Sequence, residues 1–381
     1  EPWVSDGSAA GTTLLRDITS GGNSDVANVR AAAELVYFTV GLDLWVSDGT
    51  TVNTTLVKAG IRYSSSAPFS GVTIGNNLYF NGSQSFDSEL WSSDGTSGGT
   101  LRIADIRPGS TGSAPSNMVV RGSEVFFTAD DGTTGRELWK SNGVSATRVT
   151  DVAAGTLGLF VEDVNLVVVG DVLLFVGYAD GGYDFELWKS DGTAGGTRLV
   201  QDLDTGKASR PDGFTVADGK AWFFASDGVG RRLWSSDGTT AGTQVVTGLY
   251  DGNVNQRDPA WSATLDDVAF LGAANGLADA ELYAVTADAV AIVSDLNVNP
   301  PTLAPAVLVP AGDKVYFEGY GDATGEELWA SAGGADSAAI VVDGVVGVGG
   351  SGIESITAAG AKVMYIANVP ANNRELWVSD G

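Results

Sequence analysis

Apolar residues along this chain fall into short unbroken runs that recur at a near-constant distance. The clearest set is "LVYF" (35–38), "LYF" (78–80), "VFF" (125–127), "LLF" (173–175), "WFF" (222–224), "VAF" (268–270), "VYF" (315–317) and "VMY" (363–365). A strand with one wet face would alternate apolar and polar residues; consecutive apolar positions demand cover on both faces. Downstream of each run lies an apolar pair ending in an aromatic anchor. Those anchors are Trp45, Trp91, Trp139, Trp188, Trp234, Tyr283, Trp329 and Trp377, with one more at Trp3 ahead of the first run; successive anchors lie 42 to 49 residues apart. A period of about 47 residues is that of a propeller blade.

Four extended segments can be read in each period. The best copy runs from "APSNMVVRG" (114–122) through "SEVFFTADD" (123–131) and "RELWKSNG" (136–143) to "ATRVTDV" (146–152). Each is rich in Val, Phe, Leu or Thr and bounded by Gly, Asp, Asn or Ser, the signature of strands joined by tight turns. In "ELW" the Leu and the Trp point to opposite faces of one strand, so each can fill one of the gaps flanking its sheet. In "SDGT" the Ser and Asp oxygens can accept backbone N–H bonds, Gly takes the left-handed conformation and Thr resumes the strand. The repeated Asp is therefore read as turn chemistry. Nothing reads as a helix longer than a turn, and 52 glycines favour turns over helix interiors.

The pattern predicts one all-β domain over residues 1–381, an eight-bladed β-propeller with four antiparallel strands per blade. There are eight copies of the first, second and fourth segments and nine of the third. Because "TTLLRDI" (12–18) precedes any first segment and the chain stops after a third at Gly381, residues 12–18 are expected to pair into the C-terminal sheet at 362–377 and remove its open edge. "EPWVSDG" (1–7) and "ELWVSDG" (375–381) then compete for one place, unless the native chain continues. A start inside a repeat, with no basic-then-apolar leader, predicts a mature or excised piece.

The copies at 89–100, 186–197 and 233–243 resemble the bacterial ELWxxDGT repeat family, and the resemblance covers essentially the whole chain. It implies a propeller-like fold in a secreted or cell-surface bacterial protein, without shared chemistry at named positions. "ELYAVTADA" (281–289) loses the Trp and the DGT turn, and "ELWASAGGA" (327–335) loses the Asp, departures that a turn tolerates better than a ligand set. The function expected on this basis is a non-enzymatic extracellular binding or scaffolding module. Its partner would be a protein or glycan at the cell surface, within a larger assembly or a longer chain. A lectin-like propeller is the alternative reading, and a carboxylate-based carbohydrate-active enzyme the third.

Charge narrows the partners. With 47 Asp and Glu against 21 Lys and Arg, the net charge of -26 repels nucleic acids and anionic lipid surfaces. No apolar run is long enough for a membrane span. The absence of Cys and His removes disulfides, Ser-His and Cys-His nucleophiles, and Cys- or His-ligated metals. Acid and base roles fall to carboxylates, Lys and Tyr.

Oxygen-only metal sites remain. "DGNVN" (251–255) sets Asp251, Asn253 and Asn255 at the alternating spacing of a calcium loop, with Asp258 nearby; "DLNVN" repeats the spacing at Asp295, Asn297 and Asn299. Neither has the Gly that should follow, so Asx turns compete with Ca2+ in both. The acidic hairpins at 129–137 and 178–186 raise the same choice. Among the tryptophans, only Trp222 and Trp261 lie off the anchor position. Trp222 belongs to an apolar strand, which leaves Trp261 as the sugar-stacking candidate. Arg30, Arg121, Arg210 and Arg257 fall on or beside first segments, where they form a partial cationic ring or are neutralised by Asp25, Asp212 and Asp258.

Overall fold

The computed structural model describes residues 1–61, 70–84, 86–151, 158–160, 165–178, 184–250, 262–274, 281–286, 289–294, 306–321, 323–347, 349–369 and 373–381. Among them every regular element is a β-strand, and the fold is an eight-bladed β-propeller. Seven blades are four-stranded antiparallel sheets whose strands follow chain order. Their first strands are Val26–Ala31, Gly71–Ile74, Ser116–Arg121, Val167–Val169, Asp212–Ala217, Ser262–Leu265 and Ala306–Ala311. The eighth has three strands, Glu354–Ala359, Lys362–Val369 and Asn373–Ser379.

The chain divides into two compact units, residues 1–183 with 190–198, and residues 184–189 with 199–381. In the first, the first strands of successive blades lie side by side, Val26–Ala31 on Gly71–Ile74 and Gly71–Ile74 on Ser116–Arg121. In the second the same stacking joins Asp212–Ala217, Ser262–Leu265, Ala306–Ala311 and Glu354–Ala359.

The unbroken apolar runs lie where their pattern requires. Glu124–Asp130 is buried from Val125 to Ala129, and Lys220–Ser226 from Ala221 to Ala225. Packing follows one rule through both units: the Leu of one blade meets the aromatic anchor of the next. Leu44 shares a cluster with Trp91, Leu90 with Trp139, Leu233 with Tyr283, Leu282 with Trp329 and Leu328 with Trp377. A basic side chain of the fourth strand completes some of these joints, with Lys58 Nζ 5.3 Å from the Trp91 ring centroid.

First strands carry a feature the sequence pattern did not show. Most shift register against the second strand near their start, and a residue there has positive φ: Asn28 at 54°, Asn117 at 53°, Val307 at 53° and Ser355 at 53°. This is a β-bulge repeated in the same place. Asn tolerates the left-handed region, whereas Val does so only under constraint from its surroundings.

The expected closure is corrected. Thr13–Leu14 pairs with Trp3–Val4, in the register Trp3 to Leu14 and Val4 to Thr13, and joins no other sheet among the described residues. The two terminal copies therefore do not compete: the first forms its own hairpin and the second supplies the third strand of the eighth blade. The reason is local. "EPWVSDG" already supplies a third strand and a turn directly ahead of residues 12–18, so a hairpin forms with far less loop-closure entropy than a pairing with residues some 360 positions away.

Candidate functional site

The repeated turn is the most frequent constellation of polar groups. In the second blade, the Ser93 Oγ lies 2.8 Å from Thr100 Oγ1 and accepts the Gly95 N–H. Asp94 Oδ1 accepts both the N–H of Thr96, at 2.8 Å, and its hydroxyl, at 2.7 Å. The Gly99 N–H closes the loop onto Thr96 Oγ1 at 2.9 Å. Two glycines are required: Gly95 has φ +89°, and a Cβ on Gly99 would stand 2.1 Å from Asp94 Oδ1. The same bonds recur at Asp191 and Asp237. Bonding from Thr96 and Thr193 holds the carboxyls of Asp94 and Asp191 below the usual carboxylate range.

Departures from the motif keep the turn. Asn142 Oδ1 accepts the N–H groups of Val144 and Ser145, and Ser331 with Ser337 replaces the Ser–Thr pair in the copy that lacks Asp. These carboxylates are turn acceptors, as their pattern implied.

The motif glutamate was not read from the sequence. Glu89 is fully buried and accepts four hydrogen bonds: from Ile106 N at 3.0 Å, Arg107 N at 3.1 Å, Ser113 N at 3.1 Å and Ser113 Oγ at 2.6 Å. Glu186 accepts from Leu203 N, Ser209 N and Ser209 Oγ, and Glu1 from Ile18 N and Thr19 N. Each Glu thus pins the connection leading to the next blade. Burial pushes Glu89 and Glu186 up, against the pull of these donors. The available signal was a Ser 23 or 24 residues after the Glu, as at Ser24, Ser113, Ser209 and Ser351.

Other acidic groups are engaged within the fold. The carboxylates of Asp87, Glu89 and Asp105 lie within 4.8 Å of one another. Arg102 bonds Asp87 at 2.8 Å and reaches Asp105 at 3.5 Å, while the Glu89 oxygens take backbone N–H groups, so this is an ion-pair network. In the 129–137 hairpin, Asp130 pairs with Arg107 and Asp131 with Arg148. Burial raises the Asp131 carboxyl, but the N–H and hydroxyl groups of Thr133 and Thr134 outweigh it and hold it at about 2.

The first-strand arginines are engaged singly. Arg30 donates to the carbonyls of Val29 and Gly71, and Arg121 to those of Asp171 and Asp191 while lying 4.5 Å over Phe126. Arg210 lies 5.8 Å over Phe185, and Asp212 pairs with Arg231 rather than with Arg210.

One blade carries the opposite charge to three others at an equivalent position. Three residues before the anchor Trp, the third, fifth and eighth blades carry Arg136, Arg231 and Arg374. Arg136 bonds Ala114 O, Ser116 Oγ and Thr128 Oγ1; Arg231 pairs with Asp212 and Arg374 with Glu354. The seventh blade has Glu326 there, facing Glu318. Burial first, then the adjoining Glu326 carboxyl, hold Glu318 well above the usual carboxylate range.

Trp222 lies in the core with its Nε1 donating to Ala217 O at 3.3 Å, and the anchors Trp91, Trp188 and Trp234 are buried. Trp261, Asp251, Asn253, Asn255, Asp258, Arg257, Asp295, Asn297 and Asn299 lie outside the described residues, as do residues 179–183 of the second acidic hairpin. No described helix is long and apolar enough to cross a membrane.

No protein-family model matches the chain, and no curated protein matches it. Solved structures do. A puromycin hydrolase is 16% identical with TM-score 0.51, over 96% of this chain and 61% of that one. A puromycin-hydrolysing peptidase of Mycobacterium tuberculosis is 11% identical with TM-score 0.50, over 90% of this chain and 58% of that one. The chain thus spans about three-fifths of the length of these enzymes, and the likeness is one of fold. It corrects the functional expectation drawn from the repeat. The two similar structures are a hydrolase and a peptidase, so the non-enzymatic surface scaffold, with its lectin-like and carbohydrate-enzyme alternatives, is not carried forward. The physical reason is that the motif residues build the blade and leave its function unspecified.

Proposed function

We propose that this chain is a peptidase-related propeller, the part of a hydrolytic protein that admits or holds substrate, with the nucleophile supplied from outside residues 1–381. The observation that carries this reading is the extent of the match: at least 90% of this chain but about three-fifths of the two hydrolases. A chain without His or Cys cannot form the Ser-His or Cys-His pair that activates a nucleophile for amide hydrolysis. Its charge of -26 favours cationic ligands such as aminoacyl compounds and peptides with a free amino group.

The test uses the purified chain with puromycin and short peptide amides, following hydrolysis and, by calorimetry, binding. Binding without turnover is expected. Hydrolysis by the chain alone, or no binding by any of these compounds, contradicts the proposal. The ELWxxDGT kinship and a location outside the cell accompany it as proposals resting on the motif copies.

A further inference from the structure

The dipeptide Asn-Gly occurs three times, at Asn81, Asn142 and Asn275. In this pair the asparagine side chain is open to attack by the backbone that follows it, because glycine puts no side chain in the way of its own nitrogen. Asn81 is 1% exposed inside the strand Asn77–Gln84, its Oδ1 accepts the Ser70 N–H, and a Cβ on Gly82 would stand 2.6 Å from the Trp91 ring. That packing leaves no room for the side chain to turn. Asn142, in contrast, is exposed in the turn between the third and fourth strands of the third blade. Asn275 lies outside the described residues.

The turn at Asn142 is held less firmly than its counterparts at Asp94, Asp191 and Asp237. In each of those the Asp accepts both the N–H and the hydroxyl of a Thr, and the Ser hydroxyl meets that of a second Thr. The third blade has Val144 in place of the first Thr, and Ala146 stands opposite Ser141 without a hydroxyl to offer. Its bonds run from Gly143 N to Ser141 Oγ at 3.0 Å, and from Val144 N and Ser145 N to Asn142 Oδ1 at 3.0 and 3.1 Å. A second difference is chemical. The carboxyls of Asp94 and Asp191 are held below the usual range and stay ionised, which repels a nucleophile, whereas the Asn142 amide is neutral.

We propose that Asn142 is a site of spontaneous deamidation, gated by the hydrogen bond from Gly143 N to Ser141 Oγ. When that bond opens, the Gly143 nitrogen attacks Asn142 Cγ. An N–Cγ bond forms, the Cγ–Nδ2 bond breaks, and the Gly143 amide proton passes by way of water to the departing Nδ2, which leaves as ammonia. Water then opens the cyclic imide at one of its two carbonyls. Opening at Cγ leaves aspartate, and the turn reads Ser-Asp-Gly like its counterparts. Opening at the main-chain carbonyl leaves isoaspartate, which lengthens the backbone by one carbon and carries its carboxylate directly on Cα. The first product keeps the acceptor of Val144 and Ser145 in place. The second loosens the pairing of Ser141 with Ala146, and with it the strand Ala146–Arg148 and the ion pairs of Arg148 with Asp131 and Asp151.

The experiment is peptide mapping by mass spectrometry of the folded chain during storage at neutral and at mildly alkaline pH, beside a synthetic peptide of residues 139–146 under the same conditions. Asn142 should exchange its amide for a carboxyl more slowly than the peptide does, and faster at alkaline pH, because the Gly143 nitrogen must lose its proton to attack. Asn81 should stay intact. Ser141→Ala should raise the rate in the folded chain about fivefold, the factor that one hydrogen bond is worth, and the same change in the peptide should leave its rate unaltered. Stored chain carrying isoaspartate should melt below the parent, while Asn142→Asp melts with it. An Asn142 that stays intact in the folded chain after the peptide has converted overturns the proposal. So does conversion in the folded parent at the peptide's own rate, which would mean that the turn gates nothing and which is read without any variant having to fold.

Discussion

At the scale of the residue, the motif divides its work between shape and hydrogen bonding. Trp188 is buried, and its indole nitrogen has no hydrogen-bond partner among the described residues, so the ring contributes volume rather than a polar contact. Trp188→Ala should therefore cost about 3 to 5 kcal/mol in urea unfolding, and Trp188→Phe less than half of that, since Phe retains much of the apolar volume and strands no donor. Asp131 shows how local bonds set an acid limit. Its carboxyl is held at about 2, below the unfolded value of 3.8, so its contribution is present above pH 4 and is lost as pH falls through 2. Asp131→Ala should flatten the stability profile in that window. An unchanged profile would show that the Thr133 and Thr134 bonds do not act on its titration.

At the scale of the element, the blade was legible because its signals are local. Consecutive apolar residues in "VFFTA" announced a strand covered on both faces, and "SDGT" announced its turn. Three features were not legible. Buried carboxylates are rare, so Glu89 and Glu186 carried no prior for burial, and their N–H donors lie 17 or more residues away. The first-strand bulge left no mark because Asn117 can adopt positive φ unaided, while Val307 is held there by its sheet. The N-terminal hairpin was missed because the symmetry of the repeat count outweighed the nearness of residues 3–4 to 13–14.

The seventh blade offers a test at this scale. Glu318 titrates well above its unfolded value beside Glu326, so the stability associated with it is fully present below the unfolded pKa and declines as pH rises through the folded one. Glu326→Arg, which restores the residue type of Arg136 and Arg231, should raise the urea midpoint at alkaline pH more than at acid pH. An equal effect at both would assign the change to something other than the carboxylate pair.

At the scale of the whole molecule, charge and repetition set the behaviour. With a net charge of -26, melting temperature should rise as sodium chloride goes from about 0.1 M to about 1 M, where the Debye length falls from about 10 Å to about 3 Å. Calcium at Asp251, Asn253, Asn255 and Asp258 requires a further rise when it replaces sodium at fixed ionic strength, lost in Asp251→Ala. Equal melting temperatures in the two ions would remove calcium and leave screening. The central claim is that the repeated Asp is an acceptor that builds turns and takes no part in the chemistry of a site. The most direct measurement is the urea midpoint of two triple variants, with Asp94, Asp191 and Asp237 changed together to Ala or together to Asn. Each site loses its Thr bonds in the Ala variant, at about 1 kcal/mol per turn for distant, additive positions. The account predicts a loss of about 3 kcal/mol for the Ala variant and near-parent stability for the Asn variant, because Asn142 already fills this role in the third blade. Parent-like stability in the Ala variant, or an equal loss in both, would contradict it.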